Sequence, residues 1–183
     1  MLFLFSALVG VLLGYAFGGR ISNLPSLRLR GFWLVLCGLI LQLLIFPLFS
    51  ERPVLPFAIV PLHILSYAFV FAFIALNLRV RALLAIGAGA LLNLVAITAN
   101  GGWMPASATA LERAGLIEIV DRLASNATHG NVLLMSASTR FNTLGDWLYL
   151  PGSVPFATAF SIGDLLIMVG VAWLIARGMR RHV

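Results

Sequence analysis

Phe57-Ala-Ile-Val-Pro-Leu-His-Ile-Leu-Ser-Tyr-Ala-Phe-Val-Phe-Ala-Phe-Ile-Ala-Leu-Asn-Leu78 carries no charged residue, Arg79-Val-Arg81 follows at once, and Ala82 to Ala99 is a second uncharged block. About 20 helical residues rising 1.5 Å each cross a hydrocarbon core about 30 Å thick. The two blocks therefore read as membrane-crossing helices with arginines at the bend between them.

Three further blocks repeat the pattern. The expected spans are about 1–18, 31–49, 57–78, 82–99 and 160–176, with a long, more polar region over 100–155. The first block lacks a basic n-region and a small-residue cleavage pattern, so it reads as a retained helix. Gly10, Gly14 and Gly18, four apart, lie on one of its faces and allow close helix packing. The expected fold class is an all-α membrane protein: five transmembrane helices in a single polytopic domain over 1–183, with an outer lid of one surface helix and a re-entrant segment.

Composition agrees. Of 183 residues, 61% are hydrophobic and 10% charged, against roughly half and a quarter in soluble domains. The net charge of +6 sits in singly dispersed or paired arginines at segment ends, which excludes a nucleic-acid-binding patch and reports membrane orientation instead. Every one of those cations is arginine; no lysine occurs. Cys37 is the single cysteine and forms no intrachain disulfide. Alternate assignment of the loops puts Arg20, Arg28, Arg30, Arg79, Arg81, Arg177, Arg180 and Arg181 on one side without an acid. By the positive-inside rule that side is the cytoplasm. The expectation is a multi-pass protein of the bacterial cytoplasmic (inner) membrane, N-terminus outside and C-terminus cytoplasmic. Trp33 and Trp173 near the inner ends, with Trp103, Trp147 and Tyr149 near the outer ends, fit interfacial belts. Laying Leu27–Leu44 on Leu78–Val95 aligns Arg28 with Arg79, Arg30 with Arg81, Gly38 with Gly89 and Gln42 with Asn93, an internal repeat of the kind membrane folds are built from.

The outer region opens with the Asn100-Gly-Gly-Trp-Met-Pro105 turn. Thr109-Ala-Leu-Glu112 has capping-box spacing and begins an amphipathic helix. Asn131 to Ser138 is apolar but too short to span, hence the re-entrant reading. Two carboxylates close the region, Asp146 and Asp164. Together at a dry boundary they could share a proton and activate water against a peptide or ester carbonyl. Each also has an ordinary reading: Ser161-Ile-Gly-Asp164 and Thr143-Leu-Gly-Asp146 both have capping-box spacing, and Arg140 could neutralise either acid. His63 is expected to bond a neighbouring helix, and Gln42, Asn77 and Asn93 to act as interhelical adhesion.

These stretches carry a resemblance. Asn100-Gly-Gly-Trp-Met-Pro105, His129, Thr143 to Asp146, Pro151 and Phe160-Ser-Ile-Gly-Asp164 resemble the uncharacterised bacterial integral-membrane family catalogued as domain of unknown function 5317, along essentially the whole chain. That implies a fold and no activity. In the last third, Phe160-Ser-x-x-Asp164 is similar to a motif of lipoprotein signal peptidases, which implies catalytic roles for Asp146 and Asp164; Trp147, Ser161 and the number of spans depart from that family's pattern.

The expected site is an extracytoplasmic polar pocket for a small ligand, lipid or peptide, lined by Asn100, Trp103, His129 and Arg140, with Asp146 and Asp164 as a catalytic dyad in its sharpest form. The alternative is a structural or accessory subunit of a larger membrane complex. Membrane lipids and a protein partner in the membrane are the expected partners. The scattered His129, Asp146 and Asp164 lack the short spacing of a metal site, so no metal is assigned, and no cofactor is specified.

Overall fold

The computed structural model describes residues 2–46 and 54–180. Residues 47–49 of the expected second span, Glu51, Arg52 and Pro53 of the turn after it, and Arg181 and His182 lie outside them.

Five longer helices are present among the described residues: α1 (Leu2–Ala16), α2 (Phe32–Ile45), α3 (Ile59–Leu76), α4 (Arg81–Ala99) and α7 (Ile162–Gly178). They pack in the spatial order α1, α7, α4, α3, α2. Glycines set the closest approaches. A Cβ on Gly10 would come within 2.8 Å of the Ala172 carbonyl oxygen, one on Gly170 within 2.9 Å of the Ala82 carbonyl oxygen, and one on Gly38 within 3.0 Å of that of Ser66. These are the backbone-on-backbone contacts that small residues permit between apolar helices. The pairing makes α1 parallel to α7, because Gly10 meets Ala172 and Gly14 meets Met179.

The five-span, all-α expectation is corrected. Among the described residues two helices, α3 and α4, are long and apolar enough to cross a membrane. At 15 and 14 residues, α1 and α2 reach only about 22 Å and 21 Å, short of a core about 30 Å thick. Gly18, at φ 75°, stands two residues beyond the end of α1, and Phe46, extended at φ −125° and ψ 91°, closes α2. The 17 residues of α7 hold Asp164 in the first turn and Arg177 in the last.

Nor is the chain all-α. Between α4 and α7 it forms β1 (Met104–Ala106), α5 (Ala108–Arg113), α6 (Ile117–Asn126), β2 (Thr128–His129), β3 (Val132–Leu134), β4 (Leu148–Leu150) and β5 (Thr158–Phe160). β3 lies between β1, parallel, and β2, antiparallel, while β4 and β5 make an antiparallel pair. The expected re-entrant segment is thus strand β3 and a turn. Val132-Leu-Leu134 is too short to satisfy its own backbone as a helix, and β1 offers the ladder it needs. The expected single surface helix is two. Gly115 at φ 77° breaks it, and the cap is Ser107, whose hydroxyl accepts from the Ala110 N–H, not Thr109. Leu111 and Leu123 turn inward onto Ala106, Ala110 and Ala159, giving the lid a core of its own.

The helix ends opposite the lid are tied by polar bonds. Asn77 accepts from the Arg30 N–H at 2.8 Å and donates to the Arg30 carbonyl at 2.8 Å, while the Arg20 N–H and the Asn23 amide both donate to the Met179 carbonyl at 2.8 Å. Arg20, Arg30, Arg79, Arg81, Arg177 and Arg180 therefore share one end, and the described carboxylates lie at the other.

Candidate functional site

Phe160-Ser-Ile-Gly-Asp164 forms a true capping box at the start of α7. The Ser161 hydroxyl accepts from the Asp164 N–H at 2.9 Å, and Asp164 Oδ2 accepts from the Ser161 N–H at 3.0 Å. Asn93 on α4 closes the arrangement. Its amide donates to Asp164 Oδ1 at 2.7 Å and its Oδ1 accepts from the Ser161 hydroxyl at 2.9 Å. Gly163 makes room for this, since a Cβ there would collide with Asn93 Oδ1 and reach within 2.7 Å of the Gly89 carbonyl oxygen.

Asp146 is held differently. The short 3-10 turn before it, Asn142–Leu144, has Phe141 at its N-terminal boundary at φ 55° and takes no side-chain cap, so the capping reading of Thr143 to Asp146 fails. Its backbone instead bridges to β1: the Asp146 N–H donates to the Pro105 carbonyl at 2.8 Å and the Ser107 N–H donates to the Asp146 carbonyl at 2.9 Å. That leaves the carboxyl free of its own helix end. Oδ1 is shut off from solvent and bonds no protein group among the described residues. Burial, and next the negative charge of Asp164, push the Asp146 carboxyl up to about 8. Loss of hydration disfavours the anion, and a like charge nearby adds to that. Both causes favour the protonated form of Asp146 well above the usual carboxylate range.

The structure thus brings Asp146 and Asp164 within electrostatic reach of each other, and Tyr67 of α3 within reach of both. Tyr67 packs with Leu144 against Ala96, Ile97 and Met104, forming the apolar wall of the site.

The other expected lining residues do other things. Asn100 is a clamp: its amide donates to the Ala96 and Arg140 carbonyls and its Oδ1 accepts from the Arg140 N–H, each at 2.8 Å. The contact of Arg140 with Asn100 is through the backbone, and no ion pair joins its exposed side chain to either carboxylate among the described residues. The Trp103 ring lies against that of Phe46, centroids 5.1 Å apart and planes tilted by 57°, and the Phe46 ring lies 5.8 Å from that of His63. Trp103 thus belongs to a second polar cluster, in which the Gln42 amide meets His63 Nδ1 at 3.2 Å and donates to the Ser66 hydroxyl at 2.7 Å. His129 stands in β2 opposite Val132. No three His, Cys, Asp or Glu side chains are grouped to hold a metal ion among the described residues.

Sequence reading missed the part played by Asn93, assigning it to general adhesion. The signal was present in the repeat, which aligns Asn93 with Gln42, the centre of the other polar cluster. Tyr67 left no signal of its own, since an aromatic on an apolar helix reads as core.

A family model described as "Family of unknown function (DUF5317)" matches residues 26–176. No curated protein and no solved structure matches the chain, so the likeness of the last third to lipoprotein signal peptidases gains nothing from the comparisons.

Proposed function

The chain belongs to the DUF5317 family of unknown function, and from that premise we propose that Asp146 and Asp164 act as an acid–base pair on a membrane-borne lipid or peptide carbonyl. The observation that carries this is Asp146: a carboxyl that burial and a neighbouring carboxylate raise well above the usual range, its Oδ1 buried without a partner among the described residues, beside a second carboxyl fixed by two groups, the Asn93 amide and the Ser161 N–H. Pairs of carboxyls in different environments are how one site supplies an acid and a base together. In the proposed reaction Asp164 takes a proton from a water as its oxygen attacks the carbonyl carbon. Asp146 gives its proton to the carbonyl oxygen. As the tetrahedral species collapses, Asp164 passes the proton it took to the leaving oxygen or nitrogen, which departs as the alcohol or amine, and Asp146 takes its proton back from the hydroxyl that becomes the new carbonyl. Asn93 and Ser161 position Asp164, and Tyr67 and Leu144 exclude bulk water.

The proposal places the chain in the bacterial cytoplasmic membrane as a multi-pass protein anchored by α3 and α4. The arginine-rich end faces the cytoplasm, in keeping with the positive-inside rule, and the lid with its carboxylates faces outward.

Infrared spectroscopy tests the pair. A carboxylic C=O band should titrate near pH 8, vanish in Asp146→Asn, and titrate at lower pH in Asp164→Asn, where the neighbouring charge is gone. Purified protein in vesicles should then hydrolyse a panel of phospholipid esters or extracytoplasmic peptides, and both Asn variants should lose that turnover by about a hundredfold or more. A band absent in wild type, or variants that keep turnover, would remove the reading.

A further inference from the structure

We propose that the cleft between α1 and α7 is a binding site for an anionic glycerophospholipid, its acyl chain along the cleft and its phosphate at Arg177 and Arg180. The cleft encloses about 470 Å³, within the range of sites that bind small ligands. Its walls are two stripes of side chains. Val9, Leu13 and Phe17 recur every four residues on one side, and Trp173, Arg177 and Arg180 descend on the other. The helices run parallel, so the stripes end together at the arginine-rich end. Gly10 and Gly14 bring the backbones close beneath them, which leaves a furrow that an extended alkyl chain fits.

Charge selects the headgroup. Arg177 and Arg180 are exposed at the mouth, and the Arg180 guanidinium lies 6.0 Å above the Phe17 ring, which holds it over the furrow rather than out in water. No acid lines the cleft among the described residues, and every described Asp and Glu lies at the opposite end of the fold. Two arginines without a carboxylate, set beside an apolar channel, complement a phosphate joined to an alkyl chain. Trp173, one turn before Arg177 along the same wall, stands where an interfacial indole would sit. The proposal rests on the membrane placement above and is independent of the carboxyl pair, which lies at the other end of α7.

The test uses the full chain in vesicles and the fluorescence of Trp173, taken as the difference between wild type and Trp173→Phe. Phosphatidylglycerol with brominated acyl chains should quench that component at lower mole fraction than brominated phosphatidylcholine, by about fivefold for each arginine engaged. Arg177→Gln with Arg180→Gln should erase the preference. Arg177→Lys with Arg180→Lys should keep most of it, and Arg79→Gln with Arg81→Gln should leave it intact. Equal quenching by both lipids in wild type, or a preference that survives R177Q/R180Q, overturns the cleft alone. Absence of quenching by either lipid overturns the membrane placement with it. All four arginines are exposed or at helix ends, and circular dichroism of each variant establishes that the fold is kept.

Discussion

Gly163 has no side chain where the Asn93 amide must pass, and so the whole Asp164 environment depends on one missing methyl group. Alanine normally favours a helix over glycine by about 1 kcal/mol. Here the added carbon meets the Asn93 side-chain oxygen, which is held in place by the bonds of Asn93 to Ser161 and Asp164, and the Gly89 backbone carbonyl, so overpacking of about 1–3 kcal/mol wins. Gly163→Ala should lower the thermal midpoint in detergent, while Gly101→Ala, whose Cβ would meet nothing, tests only the strain of its positive φ. Asp146 makes a second prediction. Its carboxyl rises from 3.8 unfolded to about 8 folded, so the folded state binds the extra proton between those values. Its stabilising effect is complete below pH 3.8 and is lost as pH rises toward 8. Thermal midpoints taken from pH 5 to pH 8 should fall in wild type and flatten in Asp146→Asn. A wild-type curve as flat as the variant's would mean Asp146 is ionised throughout. Why one capping spacing held and its twin did not is also a residue-scale matter. Ser161-Ile-Gly-Asp164 leads into a long apolar helix that needs a cap. Thr143-Leu-Gly-Asp146 leads into Trp147 and a strand, and its backbone is claimed by Pro105 and Ser107. Spacing alone does not distinguish the two.

At the scale of elements, uncharged runs such as Phe57 to Leu78 and Ala82 to Ala99 were legible because the helical rise fixes how much apolar sequence a span requires. The lid was not, because its strands are two or three residues long and pair across gaps of up to 28 positions, as Met104 does with Val132. No local pattern announces such a partner. Asn100 shows how the lid is fastened to the bundle. Three hydrogen bonds join it to Ala96 and Arg140, and two of them secure the turn that precedes Asp146. Asn100→Ala leaves the Arg140 N–H and carbonyl without those bonds, at about 0.5–1.5 kcal/mol each. The turn should open about tenfold more often, and limited trypsin digestion should cut after Arg140 at a correspondingly higher rate. An unchanged rate would mean that the strand ladder, not Asn100, holds the lid down.

For the molecule as a whole, the aligned segments of the internal repeat take equivalent places. Gly38 brings α2 onto α3 and Gly89 brings α4 onto α7, and one helical turn further on Gln42 and Asn93 each bond two groups of the partner helix. The repeat is thus one of helix pairs with a glycine and an amide at corresponding depths. One amide holds a histidine and a serine, the other a serine and an aspartate. Both amides lie toward the lid, while Arg30 and Arg81, their aligned leaders, lie toward the other end. A bilayer that accepts this chain must therefore see two unlike faces, and charge decides which is which. In cells carrying the chain with Cys37→Ser, a membrane-impermeant maleimide added outside should label Ser125→Cys, which is exposed on the lid. It should reach Arg79→Cys, exposed at the opposite end, only after lysis. Labelling of Arg79→Cys in intact cells, with Ser125→Cys protected, would invert the orientation and put the Asp146 and Asp164 pair on the cytoplasmic face, where an extracytoplasmic peptide could no longer be its substrate.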